Sequence, residues 1–173
     1  MTAQPITPQD IRIEIIHEIH DISNFKSYEQ ELVDFLHDDA LENQKQNLSL
    51  TFLWFYQENL ASYITLLTDR ITLEGDLKEL FTGKGIYYKS LPALKIGRLC
   101  VDDQFLRRGL GKLMVLFSVE KAKEITRDKA GCRFITVDAK GSSADFYRKL
   151  GFKTLESGKM VSMYLDLLRF SLP

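Results

Sequence analysis

The chain has 173 residues, the length of about one domain, and is 45% hydrophobic and 27% charged. Its 11 phenylalanines and 7 tyrosines exclude disorder as the main state. The 23 basic and 24 acidic residues, a net charge of −1, exclude a protein that holds nucleic acid by overall charge alone. Cys100 and Cys132 both lie in apolar runs, so a disulfide framework is excluded and a zinc site lacks ligands. No basic stretch followed by an apolar one opens the chain, and no run of about 18 apolar residues occurs. The expectation is one cytoplasmic domain spanning residues 1–173, with no metal and no membrane partner.

After a polar leader holding Pro5 and Pro8, the alternation of Ile11 to Ile16 predicts a strand. Ser27 to Gln46 predicts a helix, with Leu32, Phe35, Leu36 and Ala40 on one face and Ser27 as its cap. Leu48–Tyr56 and Leu60–Thr68 predict a hairpin turned at Gln57-Glu58-Asn59. Asp69–Lys89 is polar and mixed, with a short helix at Asp76–Phe81, and is long enough to cover a site. A strand follows at Leu94–Val101, then a helix at Gly109–Ile125 with Leu110, Leu113, Met114 and Phe117 on one stripe. Cys132–Val137 has almost no polar face and predicts a strand buried on both sides. Ser142–Leu150 predicts a short helix stopped by Gly151, and Phe152–Leu155 with Met160–Leu167 a closing hairpin. A strand–helix–strand passage from Leu94 to Val137 demands a parallel right-handed crossover, whereas the hairpins are antiparallel, so the sheet is mixed.

The stretch from Val101 to Lys112 carries the chemistry. A strand ends, a loop passes through Arg107 and Arg108, and a helix opens around Gly109, Leu110 and Gly111. Free amides and the positive end of the helix dipole suit a pyrophosphate, and Arg107, Arg108 and Lys112 add charge. The stretch lacks the Gly-Lys-Ser/Thr of a phosphate loop and the first of the three glycines of a dinucleotide fingerprint. The second element is Asp145 to Phe152, in which Tyr147 sits on a short helix. A phenol with a pKa of about 10 can protonate a departing thiolate while neutral at rest; taken alone, Tyr147 is equally a core tyrosine.

In order and spacing, Gly97-Arg98-Leu99-Cys100-Val101-Asp102, Arg107-Arg108-Gly109-Leu110-Gly111 and Phe146-Tyr147-Arg148-Lys149-Leu150-Gly151-Phe152 resemble the GNAT superfamily of acetyl-coenzyme A-dependent N-acetyltransferases, over roughly residues 30–167. The resemblance implies an α+β domain with a mixed, mostly antiparallel sheet, a splayed parallel strand pair and flanking helices. It implies that main-chain groups of Leu99, Cys100 and Val101 hold the pantetheine arm, and that Leu106, Arg107, Arg108, Gly109, Leu110, Gly111 and Lys112 hold the pyrophosphate. It makes Tyr147 the catalytic acid and a primary amine the acceptor, attacking the thioester directly. Leu106 stands where the family has Gln or Arg, and Lys140-Gly141-Ser142-Ser143 where it often has Asn, which brings in Ser142 and Ser143 as substitutes.

A narrower resemblance, to GNAT toxins of toxin–antitoxin pairs, runs through Ala40-Leu41-Glu42-Asn43-Gln44, Ser49-Leu50-Thr51-Phe52, the Pro92–Leu99 stretch and Val137-Asp138-Ala139-Lys140. It implies aminoacyl-tRNA as acceptor and a ribbon-helix-helix antitoxin as partner; basic patches for tRNA are offered by Lys84, Lys89, Lys95 and Arg98 and by Arg148, Lys149 and Lys153. GNAT domains also form homodimers. The alternative is a catalytically silent acyl-coenzyme A-binding module. For a general base, Asp69, Asp102 and Asp103 are candidates, though each reads first as a turn or capping carboxylate; Asp138 is expected to accept from nearby amides. His17 and His20, three apart, are a weak metal pair, and Trp54, Phe55 and Tyr56 either line an acceptor pocket or, the favoured reading, form core and rim.

Overall fold

A computed structural model describes residues 4–171. The strands are β1 (Ile11–Ile15), β2 (Leu50–Tyr56), β3 (Asn59–Thr72), β4 (Ser90–Val101), β5 (Phe134–Ala139), β6 (Lys153–Ser157) and β7 (Val161–Asp166). The helices are α1 (Gln30–Asp34), α2 (Ala40–Lys45), α3 (Gly75–Thr82), α4 (Leu110–Asp128) and α5 (Gly141–Lys149). Strand order is β1-β2-β3-β4-β5-β7-β6, antiparallel except for the β4–β5 pair, which is parallel as the α4 crossover requires. The fold is α+β.

The chain divides into two compact units, Met1–Leu67 with Ile96–Ser118, and Thr68–Lys95 with Val119–Pro173. In the first, β1 pairs with β2 and β2 with β3, the latter through a bulge at Trp54/Phe55. The β2–β3 turn puts Gln57 and Glu58 at φ of 46° and 65°, the backbone of a tight hairpin without its usual glycine or asparagine. One sheet face, with Leu53, Phe55 and Tyr63, buries Val33, Leu36 and Ala40. The other sets Phe52 and Trp54 edge-on to Phe117 of α4, at ring distances of 4.9 and 5.5 Å. Trp54 and Phe55 are buried and Tyr56 is half-buried, which makes them core and rim.

The predicted helix from Ser27 to Gln46 is shorter and interrupted. It starts at Gln30, and Phe35–Asp39 forms a π-helical turn between α1 and α2. Ser27 is not its cap: Glu29 holds that position, and Ser27 Oγ accepts from the Glu29 N–H at 3.2 Å.

In the second unit, α3 lays Leu77 and Phe81 on Ile71, Leu73, Ala93 and Phe134. Each such aromatic, fully buried, contributes about 1.5–3 kcal/mol. The polar Asp69–Lys89 stretch therefore covers core. β5 runs from Phe134 to Ala139, two residues later than predicted, and carries Asp138 inside the strand. Where the sequence leads us to expect amide donors, Asp138 accepts from the side chains of Lys95 and Ser162, at 2.5 and 2.7 Å. Burial pulls its carboxyl upward, but these bonds and the Lys95 charge outweigh it and hold it below the usual carboxylate range.

Candidate functional site

In the first unit the motif residues lie on one continuous path. β4 delivers Leu99, Cys100 and Val101; a short turn at Asp103–Phe105 follows; the loop from Leu106 to Gly109 leads into α4. Asp102 fixes the exit of the strand. It is buried, its Oδ1 accepts from the Gln104 N–H at 2.9 Å and its Oδ2 from the Lys26 N–H at 2.8 Å, and its own N–H donates to the Ala61 carbonyl. Asp103 accepts from the Tyr28 N–H at 3.2 Å. Asp102 is the cap of that turn, and Asp103 holds a loop amide.

The loop turns on two left-handed residues, Arg107 at φ 59° and Gly109 at φ 89°. A Cβ built on Gly109 meets nothing within 4 Å, so the backbone is open on that side. Beyond it, the first amides of α4 have no acceptor inside the helix, and the helix adds its positive end. An anion with several oxygens fits this cradle. Leu106 and Arg107 are exposed, and so is Lys112 in the first turn of α4.

Arg108 differs from the expectation that its charge surrounds the anion. Its guanidinium stacks 4.7 Å above the Tyr56 ring, its Nε donates to the Gln4 carbonyl at 3.0 Å, and its carbonyl accepts from the Ile6 N–H at 2.9 Å. The side chain fastens the leader and the hairpin rim, while the backbone builds the loop. On the adjoining strand, burial pushes the Cys100 thiol up to about 11, only partly opposed by the hydrogen bond to Ser27. A thiol so protonated at neutral pH is a poor nucleophile.

In the second unit, α5 carries the other predicted residues. Lys140 is its N-cap, without a side-chain cap, and Ser142 and Ser143 fall in the first turn, exposed and half-buried. Tyr147 is buried, its ring edge-on to Phe146 at 5.0 Å and to Phe152 at 5.3 Å. Its carbonyl accepts from the Leu150 and Phe152 N–H groups, which fixes the turn at Gly151. Asp69 accepts from Thr136 Oγ1 at 2.6 Å. Lys95 is paired with Asp138, and Arg148 with Asp145.

The histidines form no metal pair. His20 accepts from the His17 N–H through Nδ1 and bonds Glu14 through Nε2. Among the described residues no group of three His, Cys, Asp or Glu could hold a metal, and no helix is long and apolar enough to cross a membrane.

A strand running into a two-glycine loop at a helix start, and a tyrosine on the helix after the next strand, are the elements that the resemblance to acetyl-coenzyme A-dependent transferases leads one to expect. The acetyltransferase (GNAT) domain family profile matches residues 3–164, and the chain belongs to that family. It is an acetyltransferase with acetyl-coenzyme A as donor.

No curated protein matches the sequence significantly. Among solved structures, a tyrosine-to-phenylalanine variant of KacT is 20% identical with a TM-score of 0.78, over 92% of this chain and 96% of that one. AtaT complexed with acetyl-methionyl-tRNAfMet is 20% identical with a TM-score of 0.77, over 91% and 95%. A variant of the AtaT toxin bound to the C-terminus of the antitoxin AtaR is 18% identical with a TM-score of 0.74, over 92% and 94%. At these identities the likeness is one of fold.

Proposed function

We propose that this chain, as a single domain, acetylates a primary amine by direct attack in a ternary complex. The observation that carries this reading is the open left-handed turn at Gly109, placed before the free amides of α4. In this reading acetyl-coenzyme A supplies an activated acetyl thioester. The backbone of Leu99, Cys100 and Val101 holds the pantetheine arm. The amides from Leu106 to Lys112 hold the pyrophosphate, with Arg107 and Lys112 adding charge, and Ser142 and Ser143 give further contacts at the start of α5. The amine forms the new C–N bond, the C–S bond breaks, and the Tyr147 hydroxyl gives its proton to the departing sulfur. Positioning the two substrates supplies most of the rate. The protonated state of the Cys100 thiol supports a route without an acyl-enzyme.

For the acceptor we favour the α-amine of an aminoacyl-tRNA. The support is the likeness to AtaT, which has been seen complexed with acetyl-methionyl-tRNAfMet and bound to its antitoxin. With a net charge of −1, this chain would grip tRNA through local cations such as the exposed Lys84, Lys89, Lys149 and Lys153. An antitoxin partner, of ribbon-helix-helix type in this reading, and a cytoplasmic setting go with it.

The test is Tyr147→Phe, assayed with acetyl-coenzyme A against a panel of aminoacyl-tRNAs and small primary amines. Turnover falls about a hundredfold with the dissociation constant of acetyl-coenzyme A unchanged. A variant as fast as the wild type removes Tyr147 from the reaction, and a wild type inert toward every amine replaces this reading with a silent binding module.

A further inference from the structure

We propose that the leader at residues 4–8 is a strap that sets the shape of the coenzyme loop, with Ile6 as its positioning residue. The inference rests on the reading above, in which the amides from Leu106 to Lys112 hold the pyrophosphate. It extends that site to a segment 104 positions earlier in the chain, from Arg108 back to Gln4. Arg108 stands between the two left-handed residues of the loop, Arg107 and Gly109. A non-glycine residue such as Arg107 keeps this backbone only where its surroundings hold it there. The leader grips the next residue at two points. The Ile6 N–H donates to the Arg108 carbonyl at 2.9 Å, and the Gln4 carbonyl accepts from Arg108 Nε at 3.0 Å.

The strap is itself built and tied down. Pro5 and Pro8 restrict the backbone of the leader before it docks. Asp10 accepts from the Thr7 N–H at 2.9 Å and from Thr7 Oγ1 at 2.7 Å, which closes the turn over Pro8–Asp10. The Ile11 N–H donates to the Pro8 carbonyl, and Ile11 pairs with Tyr56 across β1 and β2. The Tyr56 ring in turn carries the Arg108 guanidinium. The path from Ile6 through Ile11 and Tyr56 to Arg108, and back to Ile6, is therefore closed, and all of it lies in the first unit. Ile6 is its apolar anchor: it is 4% exposed, whereas Gln4, Pro5, Thr7 and Pro8 around it are exposed. A loop released from this path samples other backbones, and the apparent dissociation constant of the coenzyme rises in inverse proportion to the fraction that stays competent.

The test is calorimetric titration of the full chain with acetyl-coenzyme A, beside urea unfolding and amide hydrogen exchange. Ile6→Ala weakens binding about tenfold, and the conservative Ile6→Val restores most of it. Without coenzyme, exchange in Ile6→Ala quickens over residues 105–112 more than elsewhere. Val33→Ala, which trims a buried side chain packed under the sheet, lowers the urea midpoint and leaves the affinity unchanged. If Ile6→Ala fails to fold, Thr7→Ala decides: it opens the turn closed by Asp10, touches no buried side chain, and weakens binding severalfold. Wild-type affinity in Ile6→Ala, or in Thr7→Ala where that variant decides, overturns the strap, as does an equal loss in Val33→Ala. Gly109→Ala separates the two levels of the argument. If it weakens binding while the leader variants do not, the strap falls and the loop keeps its role. If neither it nor the leader variants weaken binding, the pyrophosphate is not held at this loop and both fall.

Discussion

The guanidinium of Arg108 lies 4.7 Å above the Tyr56 ring and also donates from Nε to the Gln4 carbonyl. A side chain held this way supports the loop from beneath, whatever the loop binds. Arg108→Ala removes a cation–π contact and a charge-assisted hydrogen bond, a loss of about 1–2 kcal/mol by urea unfolding. Acetyl-coenzyme A affinity by calorimetry falls less than in Arg107→Ala. The reverse order would mean that the Arg108 side chain leaves Tyr56 to reach the phosphates.

Gly109→Ala tests the loop itself. Space is not the obstacle, since nothing lies within 4 Å of the added carbon; the φ of 89° is. The substitution costs about 1–3 kcal/mol if the backbone stays, or moves the loop if it does not. Either way acetyl-coenzyme A binding weakens, as calorimetry will read. Full affinity would place the pyrophosphate elsewhere.

Gly97→Ala should be rescued by a second substitution. A Cβ there comes within 2.7 Å of Leu67 Cδ2, the end of a half-buried side chain that can turn aside. We expect a destabilisation of about 1–2 kcal/mol, reduced in the double variant with Leu67→Ala. Thermal unfolding of the four proteins closes the cycle, and strict additivity would locate the strain outside this pair.

Arg133 grips both oxygens of Asp166 at 2.9 Å each and stacks 5.0 Å over Phe81. Burial raises the Asp166 carboxyl, but the bonds from Arg133 and the Leu168 amide, with the Arg133 and Arg169 charges, overcome it and hold it below the usual value. Because the folded state binds this proton more weakly than the unfolded chain, the pair stabilises fully above the unfolded value near pH 4. That stability is lost as the pH falls through the folded value. Asp166→Asn should therefore cost about 2 kcal/mol at neutral pH and flatten the acid limb of stability against pH. An acid limb identical to the wild type would assign that proton to another carboxylate.

Every strand was legible from alternation and turn residues, and the glycines around α4 were legible as a motif. Several errors fall where polar side chains are paired inside the regular elements. Asp69 looked like a strand end, yet its bond to Thr136 lets β3 run on to Thr72. Asp138 looked like the end of β5, but Lys95 and Ser162 take it into the ladder. Ser118 is fully buried on α4 because its hydroxyl donates to Val115 of its own helix, so the buried stripe runs through Leu110, Met114, Val115, Ser118 and Ala122, with Leu113 and Phe117 at its border. The turn of Arg108 onto Tyr56 joins residues far apart in the chain, and no local pattern announces it.

The π-helical turn at Phe35–Asp39 amounts to one surplus residue in an otherwise regular helix. His37, Asp38 and Asp39 are exposed in succession there, while Leu36 and Ala40 on either side are buried. The five residues of this wider turn advance the chain about as far in angle as four ordinary helical residues at about 100° each. Excising Asp38 would therefore restore the ordinary winding and leave Ala40 facing the core. The same one-residue deletion inside α2, where no surplus exists, would turn every later residue of that helix away from its buried neighbours.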